Sequence, residues 1–133
     1  MERAAQKLEE LNKAISTLRE ALGEPFTAIV RDAVIQRFEY SFELCWKWVR
    51  DYLDEMHGIV CQSPKGCFRE LQAIEIVTDE EAETLLAMTD DRNATSHMYN
   101  EEMVNKIFER VRDRYFLLMF SLSSRIQKPV AMK

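Results

Sequence analysis

Apolar residues recur along this chain in steps of four and three. Ala4, Leu8, Leu11, Ile15, Leu18 and Leu22 are spaced 4-3-4-3-4. On a helix turning about 100° per residue that spacing draws one apolar stripe. Val104, Phe108, Val111, Tyr115, Leu118, Leu122 and Ile126 repeat the pattern as 4-3-4-3-4-4 near the other end. Each stripe needs a partner surface to bury it, so the chain must pack helix against helix. Glycine and proline number only three each, too few for the many turns of a β-rich fold. The fold class is therefore all-α, an up-and-down four-helix bundle with one additional short helix.

Gly23 fits just past the end of the first helix, and Pro25 fits the start of the second. The second helix is expected from roughly residue 26 to 57. Val34, Phe38, Phe42, Cys45, Val49 and Tyr52 cluster on one side of it, and Ile35, Trp46, Leu53, Leu44 and Trp48 widen the arc past half the circumference. A helix with so wide an apolar face is central to the bundle or also meets a second subunit. Its polar strip holds Gln36, Glu39, Glu43, Lys47 and Arg50, with Glu43 and Lys47 placed as an i,i+4 pair. Ser63 and Pro64 read as the cap and first turn of a short third helix reaching about Ile76. Thr78 and Glu81 form a capping box for the fourth, whose inward face is Ala82, Leu85 or Leu86, and Thr89. Asn100, followed by Glu101 and Glu102, caps the fifth. Leu117 and Phe120 fall off the fifth helix's stripe and need cover from another helix or a second chain. One domain over residues 1–126 and a loose tail over 127–133 are expected.

The break between the fourth and fifth helices carries the chemistry. It reads "DDRNATSHMYNEE", residues 90–102, and holds Arg92, His97 and Tyr99. Residues five apart on an unbroken helix point about 140° apart, so Arg92 and His97 share a site only if the helix ends between them. Asn93 and Asn100 suit helix ends, and the intervening residues are weak helix formers. Arg92 also continues the inward face after Leu85 and Thr89, where a charge needs a partner. Asp90, Asp91, Glu39 and Glu43 are the candidates. Arginine offers a fixed, permanently charged fork for phosphate oxygens, and histidine exchanges a proton near neutral pH. Together they suit metal-free cleavage of RNA through its 2′-hydroxyl, or the holding of a nucleotide phosphate. The same residues also admit a purely structural role, tying the fourth helix to the second. Asp90 and Asp91 diverge by about 100° on a helix, so no metal site is expected.

The net charge of −5 excludes a generic nucleic-acid binder, which is usually basic, and confines any RNA contact to a local cleft. Lys106, Arg110 and Arg114 form a basic ridge on the fifth helix that could line one. No run is long enough to span a bilayer, and no secretory signal is seen at the charged N-terminus. The three cysteines, Cys45, Cys61 and Cys67, lack zinc-ligand spacing and read as free thiols in a cytoplasmic protein.

"RDAVIQRFEYSFELCWKWVRDYL", "SPKGCFRE" and "DDRNATSHMYNEE" together resemble the nucleotidyltransferase substrate-binding protein family, in the HepT-like branch of the HEPN superfamily. The resemblance runs from about residue 5 to 125, and the family signature R-x-x-x-x-H-x-Y is intact as Arg92, His97 and Tyr99. Cys45 and Trp48 stand where smaller or polar residues are expected. The resemblance implies a bundle that forms homodimers and partners a small nucleotidyltransferase encoded nearby. It implies no cofactor of the chain's own. It implies one of two roles: the substrate-binding subunit of a two-chain nucleotidyltransferase, or a toxin. In the second, Arg92 and His97 cleave RNA, and the partner silences the protein by adding AMP to Tyr99. Glu39, Glu43, Asp91 and Asn93 are the expected supporting residues.

Overall fold

The computed structural model describes residues 2–97 and 100–126, and among these no strand occurs. The helices are α1 (Glu2–Leu22), α2 (Ala28–His57), α3 (Pro64–Ala73), α4 (Asp79–Ala94) and α5 (101–126). The tail expected over 127–133 lies outside the described residues.

α2 starts two residues later than expected, because Thr27 rather than Pro25 sets its cap. The Thr27 hydroxyl accepts from the Val30 N–H at 3.0 Å. At the other end Gly58 takes a left-handed conformation, φ 67°, and its N–H reaches the Asp54 carbonyl at 3.1 Å. α2 packs against all four other helices, which accounts for its wide apolar arc within a single chain. Val34, Phe38, Phe42, Cys45, Val49 and Trp48 are fully buried on it. Cys45 and Trp48 are thus core residues, and removing a ring such as Phe38 costs about 3–5 kcal/mol. The anticipated Glu43–Lys47 pair gives way to other partners: Glu43 accepts from the Trp46 indole at 3.1 Å and faces Arg92.

α3 is shorter than expected. Glu75 adopts a left-handed backbone, φ 63°, and the Ile76 N–H turns back to the Leu71 carbonyl at 3.0 Å, which closes the helix before Ile76. No glycine marks that stop. The capping box of α4 forms as expected: Glu81 N–H donates to the Thr78 hydroxyl and Thr78 N–H to the Glu81 carboxylate, both at 3.0 Å. On its inward face Ala82, Leu85, Met88 and Thr89 are buried.

α5 contains one widened turn over Val111–Tyr115, in which the Phe116 N–H bonds the Val111 carbonyl five residues back. The extra residue rotates the rest of the helix. Val111, Tyr115, Leu118, Leu122 and Ile126 stay buried, and Met119 joins them. Leu117 remains 55% exposed and Phe120 43%. α1 covers Phe120 only in part, through the Arg19 guanidinium 5.6 Å above its ring.

The expectation of three free thiols fails. Cys61 and Cys67 form a disulfide across the α2–α3 loop, their Cα atoms 5.3 Å apart, and Cys45 alone is free. The short loop folds both side chains inward, so two thiols six residues apart meet. Burial pushes the Cys45 thiol up to about 12.

Candidate functional site

α4 ends in one tight turn over Thr95–His97, and α5 opens at Asn100. The helix thus stops between Arg92 and His97, as their spacing required. The Asn100 side-chain carbonyl oxygen accepts from the N–H groups of Glu102 at 2.7 Å and Met103 at 3.2 Å. Tyr99 lies outside the described residues.

Arg92 stands in the last turn of α4 and leans onto α2. Its Nε is 3.4 Å from a Glu43 oxygen and its Nη1 3.8 Å from a Glu39 oxygen. Nη1 also donates to the Thr95 hydroxyl at 3.2 Å, and that hydroxyl donates to the Arg92 carbonyl at 2.7 Å. The buried Nε has no hydrogen bond among the described residues, because Glu43 lies near but out of line. So Arg92 is positioned by two carboxylates and a hydroxyl, with about a quarter of its side chain left exposed. His97 is exposed beyond it.

Of the expected supporting residues, Glu39 and Glu43 meet Arg92. Asp91 does not. Its carboxylate is bidentate to Arg110, at 2.7 and 3.0 Å, and accepts the Tyr115 hydroxyl proton. Burial first, and then this hydrogen bond, pushes the Tyr115 phenol far above its ordinary range. Asp90 pairs with Lys65 at 2.7 Å. Asn93 is exposed, and its backbone carbonyl accepts from the Ser96 hydroxyl at 3.3 Å. With Arg110 turned onto Asp91 and Lys106 3.6 Å from Glu102, the ridge of Lys106, Arg110 and Arg114 is not a free basic groove.

A cavity of about 410 Å³ opens beside Arg92, between α2 and the first turns of α5. Arg31 lines it, with a buried guanidinium bonded to Asp32 at 3.0 Å, Asn105 at 3.2 Å and Glu101 at 3.3 Å. Sequence inspection passed over this arginine. The signal was there: 31, 35, 38, 42, 45 and 49 step 4-3-4-3-4, so Arg31 occupies a position of the apolar stripe. Among the described residues no group of three or more His, Cys, Asp or Glu is placed to hold a metal ion. No helix among them is long and apolar enough to cross a membrane.

The chain is 43% identical to a protein of Thermus thermophilus whose crystal structure superposes with a TM-score of 0.82, over 86% of this chain and 97% of that one. The toxin–antitoxin MntA–HpeT crystal structure matches at 0.78, with 18% identity, over 96% of this chain and 98% of its own. A tri-AMPylated Shewanella oneidensis HEPN toxin in complex with its MNT antitoxin matches at 0.76, also with 18% identity, over 93% and 96%. The last two likenesses are likenesses of fold. No curated protein matches. The profile of one family, described as nucleotidyltransferase substrate binding protein like, matches residues 6–128. With nearly the whole chain inside that profile, and Arg92 and His97 at the helix break, the chain belongs to this family.

Proposed function

We propose that this chain is the partner subunit, substrate-binding or toxin-like, of a two-component module with a small nucleotidyltransferase. In this reading a single cytoplasmic domain over residues 1–126 forms a homodimer. Arg92, His97 and Tyr99 make its nucleotide- or RNA-phosphate-binding cluster. The observation that carries it is Arg92: two carboxylates and a threonine fix its guanidinium at a helix end, its side chain is still 24% exposed, and exposed His97 follows five residues on. Family membership supports the nucleotidyltransferase partner. The test is co-expression with the neighbouring reading frame, followed by affinity capture and intact mass. A stable complex with a small nucleotidyltransferase is the expected result; no complex, or no such neighbouring gene, rejects the module.

A second reading is a metal-independent ribonuclease, favoured by the exposure of His97 beside a held arginine. The 2′-hydroxyl oxygen attacks phosphorus as His97 takes its proton. The P–O5′ bond breaks, and the leaving oxygen is protonated by a second acid, for which a dimer would offer the other His97. Arg92 stabilises the added phosphoryl charge. The partner's AMP transfer to Tyr99, one residue before Asn100, would then add a bulky anion to this cluster that competes with RNA phosphate for Arg92. RNA incubated with protein in EDTA should be cleaved, and His97→Ala should stop it; equal cleavage by that variant rejects the nuclease. After co-expression, Tyr99→Phe should abolish the AMP adduct.

A further inference from the structure

The cavity between α2 and α5 is not accounted for by phosphate chemistry. Its volume of about 410 Å³ lies within the range of roughly 300–1,000 Å³ usual for small-molecule sites. One wall is a single face of α2, with Asp32, Ile35, Gln36 and Glu39 at i, i+3, i+4 and i+7. Asn100, Glu101 and Val104 come from the start of α5, and Thr95 sits at the Arg92 end. Arg31 offers little to a ligand, since Asp32, Glu101 and Asn105 take its donors. Three carboxylates against one committed arginine repel an anion. What fits is a neutral or cationic group rich in N–H donors, with a flat body to rest on Ile35 and Val104. Arg31 holds Asp32 through Oδ1, and no described residue bonds its Oδ2.

Resting on the reading that Arg92 and His97 handle RNA phosphate, we propose that this cavity is a nucleobase subsite that selects guanine beside the held phosphate. A carboxylate only accepts hydrogen bonds. Guanine alone among the four bases presents two adjacent donors, N1–H and the 2-amino group, on its pairing edge. Adenine and cytosine set one amino group beside a ring lone pair, and uracil sets one N–H between two carbonyls. Each of those brings a lone pair against a carboxylate. The Asp32 carboxylate accepts from both N1–H and the 2-amino group, and the amide of Gln36, next along the same face toward Arg92, donates to O6, which flanks N1 on the other side. Glu39 and Thr95 lie 3.8 and 3.2 Å from the Arg92 guanidinium, so base and phosphate of one nucleotide lie side by side. Bases of single-stranded RNA are read on these edges.

The test titrates full-length protein with the four nucleosides, which carry no phosphate, by calorimetry. Guanosine should bind at least about tenfold more tightly than the other three. Gln36→Leu, at an exposed position, should remove that preference without changing the melting temperature. Asp32→Asn should remove it too while lowering the melting temperature, because it takes a charge from beside the buried Arg31 guanidinium. Arg92→Gln should keep the preference. Equal affinities, or a preference surviving both substitutions, would overturn the proposal. Binding of agmatine in place of guanosine would also overturn it, assigning the cavity to a basic side chain of a protein partner. RNA cleavage and binding in EDTA, read in parallel, separate the two layers. Guanosine preference with no RNA binding upholds the cavity and rejects the phosphate reading. RNA binding with no base preference does the reverse.

Discussion

Asp91 and Arg92 are adjacent in the chain and do different work. Asp91 turns inward to Arg110 and Tyr115, while Arg92 turns across to Glu39 and Glu43. Removing the Asp91 carboxylate leaves a buried phenol and a guanidinium without their acceptor. Asp91→Ala should therefore cost about 2–4 kcal/mol, read as a fall in the urea midpoint. A loss below about 1 kcal/mol would show that water or another acceptor replaces it. That Arg92 needs an acidic partner was legible in the sequence, because it continues an apolar face where a charge must be met. The choice among Asp90, Asp91, Glu39 and Glu43 was not legible. It depends on Lys65 and Arg110 drawing the two aspartates away, and those partners come from α3 and α5, remote in sequence. Arg31 was legible by the stripe rule, yet it reads as an ordinary polar residue in a first helical turn until its three partners are seen.

At the scale of elements, caps were the most legible signals. Thr78 with Glu81, Ser63 with Pro64, and Asn100 all act as their residue types dictate. Stops and irregular turns were less so. The left-handed Glu75 and the wide turn at Val111–Tyr115 satisfy tertiary packing and leave no mark in local propensity. Glu81 joins a cap to a cross-helix tie. Arg125 reaches it from the end of α5 with hydrogen bonds of 2.9 and 3.0 Å. The Arg125 hydrogen bonds first, then the Thr78 backbone N–H, hold its carboxyl at about 2, against an ordinary 4.5. A carboxyl lowered by folding stabilises the fold fully above its ordinary value. That stabilisation is lost as pH falls from about 4.5 to about 2. Glu81→Gln should thus lower the urea midpoint at pH 7, and the gap to the wild type should close by about pH 2. A gap independent of pH would mean that Glu81 acts by shape and not by charge.

For the whole molecule, the width of the α2 face is used up inside one chain, so it no longer argues for a second subunit. The exposed apolar pair on α5 still does. Leu117 and Phe120 lie on the outer face, Phe120 stacked on Phe116 with ring centroids 6.0 Å apart. Such an exposed apolar patch suits an interface. If the proposed homodimer uses it, Leu117→Glu with Phe120→Glu should give a monomer by light scattering with helix content unchanged. A dimer that persists would place the interface elsewhere.

If Arg92 holds phosphate, RNA affinity reads it most directly. The ligand is a short single-stranded RNA carrying 2′-O-methyl groups, which removes the attacking hydroxyl, bound in EDTA at several salt concentrations. Arg92→Gln is compared with the wild type. The account predicts at least about a tenfold loss of affinity and a salt slope lower by about one, with a stability change no larger than about 1 kcal/mol. Equal affinity and equal slope for the two proteins would contradict it and leave Arg92 as a tie between α4 and α2.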